Sequence, residues 1–206
     1  MTDAATAALA FVRAEIPQTK REISHDEAEA LYALAQQYDG GRALEIGTAT
    51  GYSAAVLARA MPRTGIVTLN PKQSEWNDAR QYLAGYANVE PLLMRSWDYL
   101  AGYTGPVLDL VFVDGDHGQV ARDFAWWDWL KDGGLMLFHD YMPEGQKRPC
   151  QPVYEALNAL RDGLGRDFDV RHRSLAGWYK EPGESLPDLD VDTLLWCYDA
   201  EQGWVQ

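Results

Sequence analysis

Cysteine is scarce in this chain. Cys150 and Cys197 are the only two in 206 residues, too few for a disulfide framework and at no metal-finger spacing. Long apolar runs are missing too. No stretch reaches the roughly 18 apolar residues of a membrane span, so no membrane partner is expected. The opening MTDAATAALAFVRAEI is acidic and too weakly apolar for an export signal. These absences lead to the expectation of a soluble, cytoplasmic protein. Positive charge is in deficit: 18 Lys and Arg stand against 31 Asp and Glu, a formal net charge of −13. Such a chain repels a phosphate backbone, so nucleic acid is not an expected partner. The one basic cluster, Arg171-His172-Arg173, is short and reads as an exposed strand edge.

What is present is enough apolar residue, 47%, for one domain with a sizeable core. A helix is expected over about Ala4–Ile16, closed by Pro17, where it can cover a pocket or make a homodimer contact. Ser24 and Glu27 form a capping box for a second helix carrying Leu31, Leu34, Ala35 and Tyr38, ended by Gly40-Gly41. Strands are expected at Leu44–Ile46, Gly65–Leu69, Asn88–Met94, Val107–Val113 and Leu135–Phe138. The helices between them are expected after Gly51, after a Ser74 cap with Trp76, Ala79 and Leu83 on one face, briefly over Tyr99–Gly102, and over Val120–Lys131. That last helix is expected to stop at Gly133-Gly134, with Trp126 and Trp129 off its inward stripe. Residues 142–150 read as a loop and Gln151–Leu160 as a helix with Val153, Ala156, Leu157 and Leu160 inward. Phe168–Arg173 and Leu175–Tyr179 are too close for a crossover helix and read as an antiparallel hairpin.

Five alternating strand–helix units argue for a parallel α/β sheet with its strand C-termini on one edge. Residues 1–23 are expected as a helical extension, 24–180 as the main domain and 181–206 as a C-terminal extension. In that extension Val191–Tyr198 and Gly203–Val205 suggest a small hairpin, and Trp196 and Trp204 suggest that it covers something apolar.

The stretch RALEIGTATGYSA, residues 42–54, runs from strand to helix through Gly47 and Gly51. Glycine allows positive φ and close backbone approach to a nucleotide-like ligand. Glu45 stands at the strand end, where its carboxylate can reach a polar or cationic ligand group. The dinucleotide pattern G-x-G-x-x-G is not met, because Ala49 stands where the second Gly belongs. In an open parallel sheet, ligands bind beyond the strand C-termini. The polar residues there are Glu45, Asn70, Ser96, Asp114 to His117, and His139-Asp140-Tyr141.

The form E-x-G-x-x-x-G resembles the first motif of the Rossmann-like, class I S-adenosylmethionine-dependent methyltransferases. LEIGTATGYSA looks like the small-molecule O-methyltransferase branch. The segment LDLVFVDGDHGQVARDFAWWDWLKDGGLMLFHDY is similar to bacterial methyltransferases with a DGDH turn and an HDY ending. The resemblance spans about residues 24–180. It implies a seven-stranded, mostly parallel, doubly wound sheet with the antiparallel hairpin at its C-terminal end. It implies S-adenosyl-L-methionine as cofactor and a small hydroxylated molecule as methyl acceptor.

By the same resemblance, Glu45, Gly47, Thr48, Gly51, Tyr52 and Ser53 line the methionine and ribose side of the cofactor, with Asp114 beside it. Asn70 stands where an acid usually bonds the ribose hydroxyls, and lacks the charge-assisted bond. Ser96 is placed to bond the adenine edge. Trp97 is placed to stack on adenine, or is an ordinary core aromatic. Asp114 and Asp140 end adjacent strands, where relatives hold a divalent cation such as Mg2+. Tyr141 occupies the place of the usual third oxygen ligand, so His117 or His139 would have to substitute, favouring a softer cation. The metal-free alternative makes His117 or His139 the general base. Against that, His117 is also readable as a helix-start residue and His139 as a group positioning Asp140. The rival readings are a non-catalytic binder of the same cofactor and a dinucleotide oxidoreductase.

Overall fold

The computed structural model describes residues 3–16, 23–142, 150–199 and 203–206. Strands β1 (Arg42–Ile46), β2 (Gly65–Leu69), β3 (Val89–Leu92), β4 (Leu108–Val113), β5 (Leu130–Phe138), β6 (Val170–His172) and β7 (Leu175–Tyr179) form one sheet. Its order is β3-β2-β1-β4-β5-β7-β6. The first five strands are parallel. Strand β7 runs antiparallel between β5 and β6; for the β6–β7 pair the two-residue connection, Arg173 and Ser174, leaves no room for a crossover. The helices are α1 (Asp3–Glu15), α2 (His25–Ala35), α3 (Tyr52–Ala60), α4 (Gln73–Tyr82), α5 (Ser96–Ala101), α6 (Val120–Asp123) and α7 (Gln151–Leu164). None is long and apolar enough to cross a membrane.

Alternate residues of each strand feed two cores, as the period of two dictates. Ala43, Ile66, Leu110, Phe112, Leu135 and Leu137 pack against α1, α2 and α3. Leu44, Leu69, Val111, Val113, Met136 and Phe138 pack on the other face against Phe124, Trp127 and α7. Helix α1 buries Leu9 and Val12 in the first core, Ile16 does so just past its end, and Tyr86 donates from its hydroxyl to Glu15. The second core takes Leu186, Leu189 and Val191 of the C-terminal extension. A small antiparallel pair, β8 (Cys197–Asp199) with β9 (Gly203–Val205), ends the chain. Trp196 is half-buried, whereas the Trp204 side chain and the loop over 143–149 lie outside the described residues.

Three sequence expectations are corrected. Gly133-Gly134 does not stop a helix: β5 begins at Leu130, and Gly133 N–H donates to Lys180 O while Lys180 N–H donates to Gly134 O. The glycines thus extend the pairing with the chain end of β7. The helix expected over Val120–Lys131 is only one turn, α6, followed by a 3-10 segment over Phe124–Trp129. Phe124, Trp127 and Leu130 recur every third residue, which is the 3-10 period rather than 3.6. Trp126, expected off the inward stripe, is fully buried. Third, Ser74 does not cap α4. Lys72 is the N-cap residue, and no side chain caps that end; instead Asn70 Oδ1 accepts from Lys72 N–H at 2.9 Å.

Candidate active site

The C-terminal ends of β1, β2 and β4 leave a cleft of about 390 Å³, within the range of small-molecule sites. Ile46, Gly47, Leu69, Met94, Trp97 and Gly115 contribute to its wall. Gly47 (φ 103°) and Gly51 (φ 97°) both take the left-handed conformation. A Cβ on Gly47 would lie 2.0 Å from the Asp114 carbonyl oxygen. Close packing of β1 against β4 therefore requires this glycine, apart from any ligand. No side chain caps α3, which starts at Tyr52, so its first N–H groups face the turn with the positive end of the helix dipole.

Several residues expected around a cofactor are engaged within the protein. Glu45 is fully buried and accepts from the Thr68 hydroxyl, which also bonds the Thr48 hydroxyl. This trio braces the turn from beneath. Ser53 and Tyr52 are buried in α3, and Tyr52 Oη finds no hydrogen-bond partner among the described residues. Asn70 is 3% exposed; its amide donates to Glu75 and accepts from Lys72. Ser96 and Trp97 sit in the first turn of α5, not in the exit loop expected before Tyr99. The Ser96 hydroxyl accepts from Trp126 Nε1 at 2.8 Å and bonds Asp123. Trp97 lies on the cleft wall between two cations, with Arg95 5.4 Å and Arg122 5.2 Å from its ring centre.

Beside the cleft the ends of β4 and β5 bring titratable groups together. His139 Nδ1 lies 2.9 Å from Asp114 Oδ1 and 3.3 Å from Asp140 Oδ2. His139 Nε2 faces Glu27 Oε2 at 3.4 Å. His117 Nε2 pairs with Asp140 Oδ2 at 3.0 Å. Asp140 holds φ 59°, a left-handed geometry that Asp tolerates better than most residues. Asp114, His117 and Asp140 each offer a ligand atom, all within 4.8 Å of one another. Two carboxylates and an imidazole are a donor set for a divalent cation. Tyr141 adds none, since its hydroxyl turns away to Asn158 at 3.0 Å.

The charges follow from this packing. Burial lowers the pKa of His117, but hydrogen bonds to Asp140 and Cys150 outweigh it and lift the imidazole to about 10. Burial acts likewise on His139, and the surrounding carboxylates of Asp114, Asp140 and Glu27 hold it well above its ordinary value. Burial raises Asp114. Asp140 and Glu27 are also penalised by burial, yet their hydrogen bonds to the imidazoles bring both below the usual carboxylate range. Both histidines are therefore imidazolium in the metal-free cluster, and neither can accept a proton near neutral pH.

Sequence reasoning missed two residues. Glu27 was fully explained as a capping residue, leaving no reason to connect it with His139. Asp123 drew no reading from the sequence, yet it is 3% exposed and lies on the cleft wall.

Residues 44–141 match the family described as the methyltransferase domain. The chain is 26% identical over 174 residues to catechol O-methyltransferase domain-containing protein 1 of Mus musculus, covering 79% of this chain and 66% of that protein. It is 33% identical over 145 residues to the catechol O-methyltransferase of Mycobacterium tuberculosis, covering 68% and 65%. The chain thus spans just under two thirds of the length of these relatives. Among solved structures, cofactor-bound Rv0187 from MTB superposes with a TM-score of 0.67 at 25% identity, over 88% of this chain and 92% of that one. The O-methyltransferase TomG from Streptomyces achromogenes, in complex with SAM, shares the fold at a TM-score of 0.63 and 24% identity, over 87% and 91%. The segment 44–141, which carries the glycine turn and both acidic strand ends, is thus the part that matches the methyltransferase domain family, on a fold shared with Rossmann-like methyltransferase structures.

Proposed function

We propose that this protein is an S-adenosylmethionine-dependent O-methyltransferase acting on a small hydroxylated acceptor with the help of a divalent cation. The observation that carries the reading is the set Asp114, His117 and Asp140, gathered within 4.8 Å beside the open cleft at the Gly47 turn. S-adenosylmethionine would supply an electrophilic methyl group. The N-terminus of α3 suits its carboxylate. The apolar wall of Ile46, Leu69 and Met94 suits the rest of an adenosyl ligand.

A cation held by Asp114, His117 and Asp140 would lower the pKa of an acceptor hydroxyl. His117 must give up its proton to serve as ligand, so proton and cation compete for the same nitrogen. Glu27 and Ser174 fix the far side of the cluster: the Ser174 N–H donates to Glu27 Oε1 at 3.2 Å. His139, clasped between Glu27 and Asp114, orients both strand-end acids and has no free nitrogen for substrate. This makes His139 a positioning residue, and of the two strand-end acids Asp140 is the more exposed, at 24% against 11% for Asp114. The arrangement disfavours histidine base catalysis without a cation. The names of the relatives make aromatic diols the first acceptors to try.

The test is transfer of an isotope-labelled methyl group to a panel of catechols, other phenols and sugars, with chelator and with Mg2+, Mn2+ or Zn2+ added back. Cation-dependent labelling is expected. Binding of S-adenosylhomocysteine without label in any acceptor would instead favour a non-catalytic binder.

A further inference from the structure

A second cavity, of about 410 Å³, opens toward the other end of the same strands. It shares no lining residue with the cleft at the Gly47 turn. Its floor is the sheet face on which Leu44 of β1, Val67 of β2 and Glu90 of β3 lie abreast. One wall is aromatic. The rings of Tyr99 and Tyr103 have centres 5.6 Å apart, and Trp126 closes on them at 5.8 and 5.2 Å.

The cavity exists because cover is missing. The crossover from β3 to β4 holds only the six residues of α5, about 9 Å of helix, too short to roof three strands. At the start of β2, Gly65 contributes no side chain. A Cβ added there would meet nothing nearer than Arg42 Nη1 at 4.0 Å, which places the guanidinium beside the gap. Gly65 is not in the left-handed region, so backbone conformation does not demand this glycine.

Opposite charges border the floor. Arg42 and Glu90 stand on strands two spacings, about 10 Å, apart, with Gly65 and Val67 between them. Neither side chain has a hydrogen bond or ion pair among the described residues. Both reach the aromatic wall: burial and then the Glu90 carboxylate raise the Tyr99 phenol, and Arg42 works against the same rise at Tyr103. Tyr103 Oη already donates to Pro106 O at 2.6 Å, and Trp126 Nε1 to the Ser96 hydroxyl at 2.8 Å. The wall is thus fixed from within, and the two charges are left to an occupant.

We propose that this cavity binds a planar aromatic carboxylate with a hydroxyl or amine at its far end: the carboxylate on Arg42, the ring over Gly65 and Val67 against Tyr99, the far donor on Glu90. A guanidinium pairs a carboxylate through two parallel N–H bonds. A flat ring packs offset or edge-on against tyrosine. An ionised Glu90 can only accept, so it selects a donor and repels a second anion. The site is independent of the S-adenosyl reading above.

The experiment is calorimetric titration of the full chain with 4-hydroxyphenylacetate and with its uncharged amide, 4-hydroxyphenylacetamide. The acid should bind at least about tenfold more tightly, the scale of one charge-assisted contact. Arg42→Gln should remove that preference. Gly65→Leu, which fills the gap, should abolish binding of both compounds, and Asp140→Asn should change neither. No binding of the acid by wild type, or equal binding of acid and amide, would overturn the assignment and needs no variant. A preference that survives in Arg42→Gln would overturn it too; Arg42 is exposed, so that variant decides even if Gly65→Leu does not fold. Loss of binding in Asp140→Asn would move the acid to the strand-end cluster and overturn the assignment as well.

Discussion

Glu27 Oε2 lies 3.4 Å from His139 Nε2, so the carboxylate that caps helix α2 also holds the ring between the acids of β4 and β5. One side chain thus joins a local helix signal to the chemistry 112 residues away. The cap alone is worth about 1 kcal/mol. The buried, charge-assisted contacts to His139 and Ser174 add to it.

Replacing Glu27 by Gln keeps a capping group and removes the charge. It should cost roughly 1.5–3 kcal/mol at neutral pH, read by chemical denaturation. The folded pKa of Glu27 lies below its ordinary 4.5. Its contribution is therefore present above pH 4.5 and is lost as pH falls through the folded value. Wild type should lose stability in acid more steeply than Glu27→Gln; parallel curves would remove Glu27 from the cluster.

Asp123 has the opposite sign. Its pKa rises from 3.8 to about 7 on folding, so its favourable contribution is complete below pH 3.8 and disappears as pH rises through about 7. The ligand-free protein should lose up to about 4 kcal/mol from this group across that window. Asp123→Asn should flatten the slope in urea denaturation series at several pH values. An unchanged slope would place the titration elsewhere.

Cation binding should be proton-linked. With His117 at about 10, each unit of pH below that value should cost about tenfold in apparent affinity. Thermal shifts with Mn2+ or Zn2+ at several pH values would show it. Asp140→Asn should abolish the shift. Asp114→Ala should abolish methyl transfer while the protein stays folded. Full turnover in that variant would exclude Asp114 from the reaction.

Gly47→Ala tests the wall between β1 and β4. Its Cβ would meet the Asp114 carbonyl at 2.0 Å with φ at 103°. A loss on the order of 3 kcal/mol or more is expected. A neutral result would show that the turn relaxes.

The sheet was readable in advance because its signals are local: the VLDLVFV run, the capping box and the strand-to-helix turn each report on a few neighbours. The site was readable only as positions at strand ends. Asp114, His117 and Asp140 follow from parallel topology, which sends every strand end to one edge. What the sequence hides is which partner each side chain chooses. Asn70 turns to Lys72 and Glu75, Ser96 to Trp126 and Asp123, and His139 to Glu27. The choices of Ser96 and His139 depend on contacts far apart in the chain, whereas Asn70 meets near neighbours at the start of α4. The Gly133-Gly134 pair was misread for the same reason, because its partner Lys180 lies almost fifty residues on.

The central claim is that an adenosyl ligand occupies the cleft at the Gly47 turn. Calorimetry of the full chain with S-adenosylhomocysteine and, separately, with NAD tests it most directly. The account predicts saturable one-to-one binding of the first and none of the second. No binding of S-adenosylhomocysteine, or tight binding of NAD, would contradict it.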